Sequence, residues 1–211
     1  MNEQVFIAVK KIIDHYNAHE AGRIFTVAIS GIDASGKGYL SKMIADELQR
    51  KGLTSALINA DAWQQPLAAR LKKENAAENL YENIFRWHDM FEHLIFPLQK
   101  TGSIHLQINA IHTSVDVYYP LQYHFNNIDI IILEGVFLLK TKYLAGYDYR
   151  IWIDCSFETG MKRAIQRNAE GLEESALLHD YNNFYYPAQQ YHFKRDDPRK
   201  SADLILNNDN G

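Results

Sequence analysis

The sequence predicts an α/β protein of three layers, a parallel β-sheet flanked by helices on both faces. Three observations carry this. Short apolar runs are separated by segments of helical period. The runs are apolar throughout instead of alternating with polar residues, the pattern of strands covered on both faces. A glycine-rich turn, Gly31-Ile32-Asp33-Ala34-Ser35-Gly36-Lys37-Gly38, directly follows one such run and opens a helix.

In chain order, Val5, Ile7, Val9, Ile12, Ile13 and Tyr16 fall mainly on one face, so residues 2–19 read as an amphipathic helix. Arg23–Ser30 (RIFTVAIS) reads as a buried strand, and Leu40–Leu48 returns to helical period. Leu53–Ala60 (LTSALINA) is the second strand. Residues 79–100 read as a helix broken near Pro97, since proline lacks the N–H and clashes with the preceding turn. Ile128–Leu133 is the most apolar strand and Tyr149–Asp154 is another. Residues 157–169 and 173–194 read as helical, and Ala202–Leu206 closes with a short strand. With no internal repeat, low-complexity tract or linker, one domain over residues 1–211 is expected.

Composition narrows the class. Hydrophobic residues make up 46% and charged residues 23%, which suits a soluble fold with a full core. The net charge of −4 and the lack of a long basic tract argue against a nucleic-acid partner. The nine His show no metal-ligand spacing. Cys155 is the only cysteine, which excludes a disulfide framework and a cysteine-based zinc site and suits a reducing cytosol. No apolar run approaches the roughly 18 residues of a membrane span, and the polar N-terminus has no signal-peptide core. The expectation is a soluble, cytoplasmic protein with no membrane partner; a homo-oligomer is left open.

The turn at 31–38 fits G-x-x-x-x-G-K, a phosphate-binding P-loop. Glycines let the backbone curl so that successive N–H groups face an anion. The helix opening near Gly36 adds the positive end of its dipole, and Lys37 supplies a point charge for the β- and γ-phosphates. Gly31, Asp33, Ala34, Ser35, Gly36, Lys37, Gly38 and Tyr39 form the predicted nucleotide-gripping set. One position departs from the pattern. A Ser or Thr normally follows the lysine and ligates Mg²⁺; this chain has Gly38. Asp61, Glu134 or water is then expected to hold the ion, because Ser41 lies a turn further along.

Asp61 ends the second strand, where the crevice of an open parallel sheet lies. A carboxylate there can accept the proton of an attacking hydroxyl. Glu134, directly after IDIIIL, matches the acid that positions Mg²⁺. Arg163 and Arg167 are four apart on one helix face beside Lys162, and can close over a transferring phosphate. Gly171 and the acidic run 170–174 mark a mobile turn after them, so a small lid is expected. Between Asp61 and the next strand, Arg70, Tyr81, Arg86 and Trp87 suit stacking on a base and bonding a ribose or phosphate. Phe85, Met90, Phe91 and Leu94 read as core at helical spacing, and Trp87 fits either role.

These motifs together resemble the uridine kinase and phosphoribulokinase family of P-loop kinases. The residues carrying the resemblance are VAISGIDASGKG (27–38), Asp61 after LINA, IIILEGVFLL (130–139), YRIWIDCSFETGMKRAIQR (149–167), PAQQYHF (187–193) and ADLILNN (202–208), which span nearly the whole chain in order. The resemblance implies a P-loop NTP hydrolase-type fold with a lid and a substrate-binding insertion. It implies an ATP- and Mg²⁺-dependent kinase acting on a hydroxyl of a nucleoside or similar molecule. Lys37, Arg163 and Arg167 would then handle phosphate charge, Asp61 would be the base, Glu134 would assist Mg²⁺, and Asn207 and Asn208 would lie near the adenine. The family often has F-D-H-P where this chain has Phe85-Arg86-Trp87-His88. Arg86 removes an acceptor for ribose hydroxyls and suits an anionic substrate. Two alternatives therefore stand beside the nucleoside kinase: a nucleotide-binding protein without phosphotransfer, motivated by Gly38, and a kinase of a phosphorylated sugar or cofactor precursor, motivated by Arg70 and Arg86.

Overall fold

The structure, a computed structural model, describes residues 3–20, 22–70, 74–112, 115–168 and 171–209. Its strands are β1 (Phe25–Gly31), β2 (Ser55–Asn59), β3 (Ile104–His112), β4 (Val117–Phe125), β5 (Ile130–Glu134), β6 (Tyr149–Asp154) and β7 (Leu204–Asn207). β1 is buried at every residue, which suits only the middle of a sheet. It lies at the centre of five strands ordered β2-β5-β1-β6-β7, every pairing parallel. The expected three-layer α/β fold is the one formed.

The period of two along each strand sorts side chains into two cores. Val27, Ile29, Ile130, Ile132, Ile151 and Ile153 face one side. There they meet Val5, Val9 and Ile12 of α1 (Glu3–Asn17) and Leu40, Ile44 and Leu48 of α2 (Lys37–Arg50). Each such side chain, taken fully out of water, contributes about 1.5–3 kcal/mol. Ala28, Ile131, Leu133 and Trp152 face the other side. That side is covered by the insertion after β2, with α3 (Leu67–Arg70), α4 (Ala76–Asn83), α5 (Trp87–Met90) and α6 (Phe96–Thr101). The C-terminal half adds α7 (Phe157–Arg167), α8 (Glu174–Asp180), α9 (Tyr186–Asp196) and α10 (Pro198–Ser201).

Two expectations need correction. Residues 79–100 are not one helix broken at Pro97. The break falls at 84–86, where Arg86 N–H donates to Trp63 O at 2.8 Å and Gln65 N–H donates to Ile84 O at 2.9 Å. Pro97 instead follows a wide π-helical turn, Phe91–Ile95, and Pro187 likewise follows Tyr181–Tyr185. A proline ring clashes with the carbonyl four residues back. In both cases that carbonyl lies in the widened turn, so the helix continues. Second, β3 and β4 form an antiparallel hairpin within 101–127, a stretch given no element from sequence. The alternation of Ile104, Leu106, Ile108 and Ala110 with His105, Gln107 and Asn109 is the signal that was available. Asn2, Ala169 and Glu170, part of the predicted helices 2–19 and 157–169 and of the acidic run 170–174, lie outside the described residues.

Behind the sheet, Lys140 is wholly buried. Its ammonium donates to Tyr81 O, lies 3.8 Å from the Tyr81 ring centroid and 5.0 Å from that of Trp87, and is 3.8 Å from Glu82 Oε2. Burial pushes its pKa down to about 7. In the unfolded chain it titrates near the ordinary lysine value of 10.5. Between these values the unfolded state binds the extra proton, so this group makes stability rise with pH across that window. Urea melts should therefore show wild-type stability growing relative to Lys140→Met between pH 7 and about 9.5; a flat difference would mean that Lys140 stays charged when folded.

Candidate active site

Register brings the site together. Ile29 of β1 and Asn59 of β2 both lie level with Glu134 of β5. The loop after β1, the acid ending β5 and the turn after β2 therefore open on one edge of the sheet. They line a cleft of about 590 Å³ together with Arg163, Gln166 and Arg167 of α7.

The loop is shaped for an anion. Ala34 and Gly36 have φ of 53° and 87°; alternation of left-handed and ordinary residues turns successive N–H groups inward. No side chain caps α2 at Gly36, and no acid lies in its first turn, so its leading N–H groups and dipole face the cleft. Lys37 Nζ donates to Ile32 O at 3.3 Å and curls over the loop. Gly31 is a glycine by necessity, since a Cβ would lie 2.6 Å from Ser35 Oγ and 2.8 Å from Ile153 O. Gly36 is constrained twice, by its positive φ and by the Asn208 amide, which fills the space a Cβ would need.

Glu134 is buried, and desolvation raises its pKa to about 7 against the pull of Lys37 and with the push of Asp61. Asp61 lies in the turn Ala60–Trp63, two residues beyond the strand end. Its N–H donates to Asn59 Oδ1 at 2.6 Å and its Oδ1 accepts from Gln64 Nε2 at 3.2 Å. Two carboxylates at the mouth of a phosphate loop fit Mg²⁺, which takes one or two carboxylates and completes its shell with phosphate oxygens and water. Among the described residues no group of three or more His, Cys, Asp or Glu gathers into a metal site, so phosphates would have to complete the coordination. A Cβ at Gly38 would lie 3.5 Å from Glu134 Oε1, an ordinary contact. Nothing steric demands glycine there; its effect is to leave the Glu134 carboxylate without a neighbouring hydroxyl.

Ala34, Gly36, Lys37, Gly38, Tyr39, Asp61, Glu134, Arg163 and Arg167 thus share the cleft. Ser35 is buried, and Asp33 is turned toward α9. Asn207 ends β7; it is Asn208 that reaches the loop, donating to Ser35 O at 2.7 Å. Arg163 Nη2 donates to Asn208 O at 2.7 Å, which ties α7 to the same strap.

The predicted acceptor-side residues are placed elsewhere. Tyr81 is 2% exposed and donates to Asp196 Oδ2, and Trp87 is 6% exposed beside Lys140. Arg70 is 3% exposed. Arg86 lies over the Trp63 ring and donates to Asn109 O at 2.7 Å. Arg70, Tyr81 and Trp87 contribute to packing behind the cleft, because helical spacing in the insertion turns them toward the core, while Arg86, in the break between helices, bonds the hairpin. The wall that does adjoin Asp61 comes from the hairpin. A second cavity, of about 410 Å³, shares Asn59 and Asp61 with the cleft and is lined by His112, Tyr119, Leu121 and Tyr123. Tyr123 OH accepts from Trp63 Nε1 at 3.2 Å, which fixes the hairpin to the Asp61 turn. Period-two alternation marks these residues as strand, but no local pattern marks them as facing Asp61.

The fold is similar to that of several solved kinase structures. A possible uridine kinase from Bacillus stearothermophilus superposes with a TM-score of 0.76 at 20% identity, over 97% of each chain. A candidate fructose transport system kinase from Silicibacter sp. TM1040 gives 0.75 at 19% identity, over 96% of this chain and 98% of that one. D-glycerate 3-kinase from Cryptococcus neoformans gives 0.67 at 11%, over 98% and 96%. No protein-family model and no curated protein sequence matches the chain.

The cost of a side chain at Gly36 is testable. Gly36→Ala should lower stability by about 1–3 kcal/mol, from the left-handed backbone and the crowding of Asn208. Asn208→Ala in the same chain should recover part of that loss in thermal melts. Equal melting of Gly36→Ala and wild type would show that the loop is not held in this conformation.

Proposed function

We propose that the protein is an ATP- and Mg²⁺-dependent small-molecule kinase acting on a hydroxyl of a neutral acceptor, a nucleoside or a similar ring-bearing alcohol. The observation that carries the reading is that Asp61 stands at the junction of the phosphate-loop cleft and the hairpin cavity. ATP phosphates would lie on the loop and the N-terminus of α2. The acceptor would lie against His112 and Tyr119, whose rings are 4.4 Å apart, with its hydroxyl at Asp61.

In this reading Asp61 takes the hydroxyl proton as the acceptor oxygen bonds to the γ-phosphorus and the bond to the β-phosphate oxygen breaks, leaving ADP. Lys37, Arg163 and Arg167 stabilise the spreading negative charge. Glu134 and Asp61 would hold Mg²⁺, which when bound would neutralise phosphate charge. A neutral acceptor is favoured over a phosphorylated one because no Lys or Arg lines the described hairpin cavity. Arg70 and Arg86, which motivated the anionic alternative, line neither cavity. The kinase names of the structural neighbours support phosphotransfer as a class, while their acceptors differ. The reading further places the protein in the cytoplasm as a single domain working on dissolved substrates.

Gly38 supports a second reading, a nucleotide binder that does not transfer phosphate, since the Mg²⁺-ligating hydroxyl is absent. Two experiments separate these. With ATP and a panel of nucleosides and neutral sugars, Asp61→Asn should lower kcat by at least about 10²-fold while ATP affinity stays within about twofold; an unchanged rate would remove Asp61 as the base. The same panel run on Gly38→Thr should show product with both chains if the kinase reading holds. Phosphorylated product from the variant alone would favour the non-catalytic reading.

A further inference from the structure

Asp33 is an anomaly in a loop shaped for anions. It is the only acid within Gly31–Gly38, and a carboxylate there opposes a polyphosphate by direct charge repulsion. Asp33 does not line the cleft. The cause is on α9. Gln189, 2% exposed, donates its Nε2–H to Asp33 Oδ2, and its Oε1 accepts from Asp33 N–H at 3.4 Å. One buried amide thus engages both the side chain and the backbone of the acid. From the other side, Gly160 of α7 packs so closely that a Cβ would lie 3.0 Å from Asp33 O. The back of the loop is therefore held between two helices, with the Asp33 carboxylate drawn to the α9 side.

We propose that Gln189 is a positioning residue for the phosphate loop, acting through Asp33. It holds the carboxylate away from bound phosphates and so sets nucleotide affinity without touching the nucleotide. The proposal rests on the reading of the cleft as an ATP site. It makes a prediction that a packing role does not make: the harm of losing Gln189 depends on the charge at position 33. A half-buried carboxylate that loses this hydrogen bond can reorient, and its neighbours in the loop, Ala34 and Gly36, line the cleft.

The test is a double-mutant cycle read by ATP dissociation constants from calorimetry with Mg²⁺, with thermal melts confirming that each variant folds. Gln189→Leu, close in volume, should weaken ATP binding about tenfold or more, the size of one charge-assisted hydrogen bond. Gln189→Glu, which sets two carboxylates together, should weaken it further. Asp33→Ala/Gln189→Leu should bind ATP nearly as well as Asp33→Ala alone. If Gln189→Leu lowers affinity equally in both backgrounds, Gln189 is packing only and the proposal fails. Affinity unchanged in Gln189→Leu also overturns it. A wild-type chain that binds no ATP would overturn the functional reading itself, and this inference with it.

Discussion

The site depends on one constraint, the parallel pairing of β5 between β1 and β2. Parallel strands point their C-terminal ends the same way, and register sets Ile29, Glu134 and Asn59 level. The phosphate loop, the buried acid and the Asp61 turn come from distant parts of the chain. They meet because each follows a strand whose apolar residues permit only a place inside the sheet. Moving β5 by two residues would displace Glu134 from Gly38 by more than 6 Å at the usual rise of about 3.3 Å per residue.

Around that edge the chain breaks several local rules at once. Ala34 sits in the left-handed region, Ser35 Oγ and Ser41 Oγ are buried without a hydrogen-bond partner among the described residues, and Glu134 is desolvated beside Asp61. Such departures cost free energy and are concentrated where function requires a particular geometry. They are held in place by polar contacts from elements remote in sequence. Asn208 grips Ser35, Arg163 grips Asn208, and Gln189 grips Asp33. The same α9 carries His192 and Asp196, and Asp196 accepts from Tyr81 OH and from the Thr141 N–H and hydroxyl. Burial opposes the charge on Asp196, but these bonds hold its pKa well below the usual carboxylate range. One helix thus braces both the nucleotide loop and the insertion behind the cleft.

The insertion and the hairpin divide the labour differently from what aromatic and basic composition suggests. Tyr81, Trp87 and Arg70 are consumed by the core, and the cage that Tyr81 and Trp87 help to build holds Lys140. The surface beside Asp61 falls to hairpin residues of mixed character, among them His112 and Tyr119. Under the proposed function, this favours the neutral acceptor over the anionic alternative.

The sequence alone determined the α/β class, the central strands and the phosphate loop, because these are written in local signals: apolar runs, glycine spacing and a lysine at a helix start. It also marked Asp61, Glu134, Arg163 and Arg167, which share the cleft. Only the tertiary structure decided which aromatic residues face solvent and which face the core, since helical spacing is the same for both. It alone assigned Gln189 and Asn208 to the loop, across 156 and 173 residues of sequence. A hydrogen bond between distant segments leaves no periodicity in the chain; it exists only once packing has brought its donor and acceptor together.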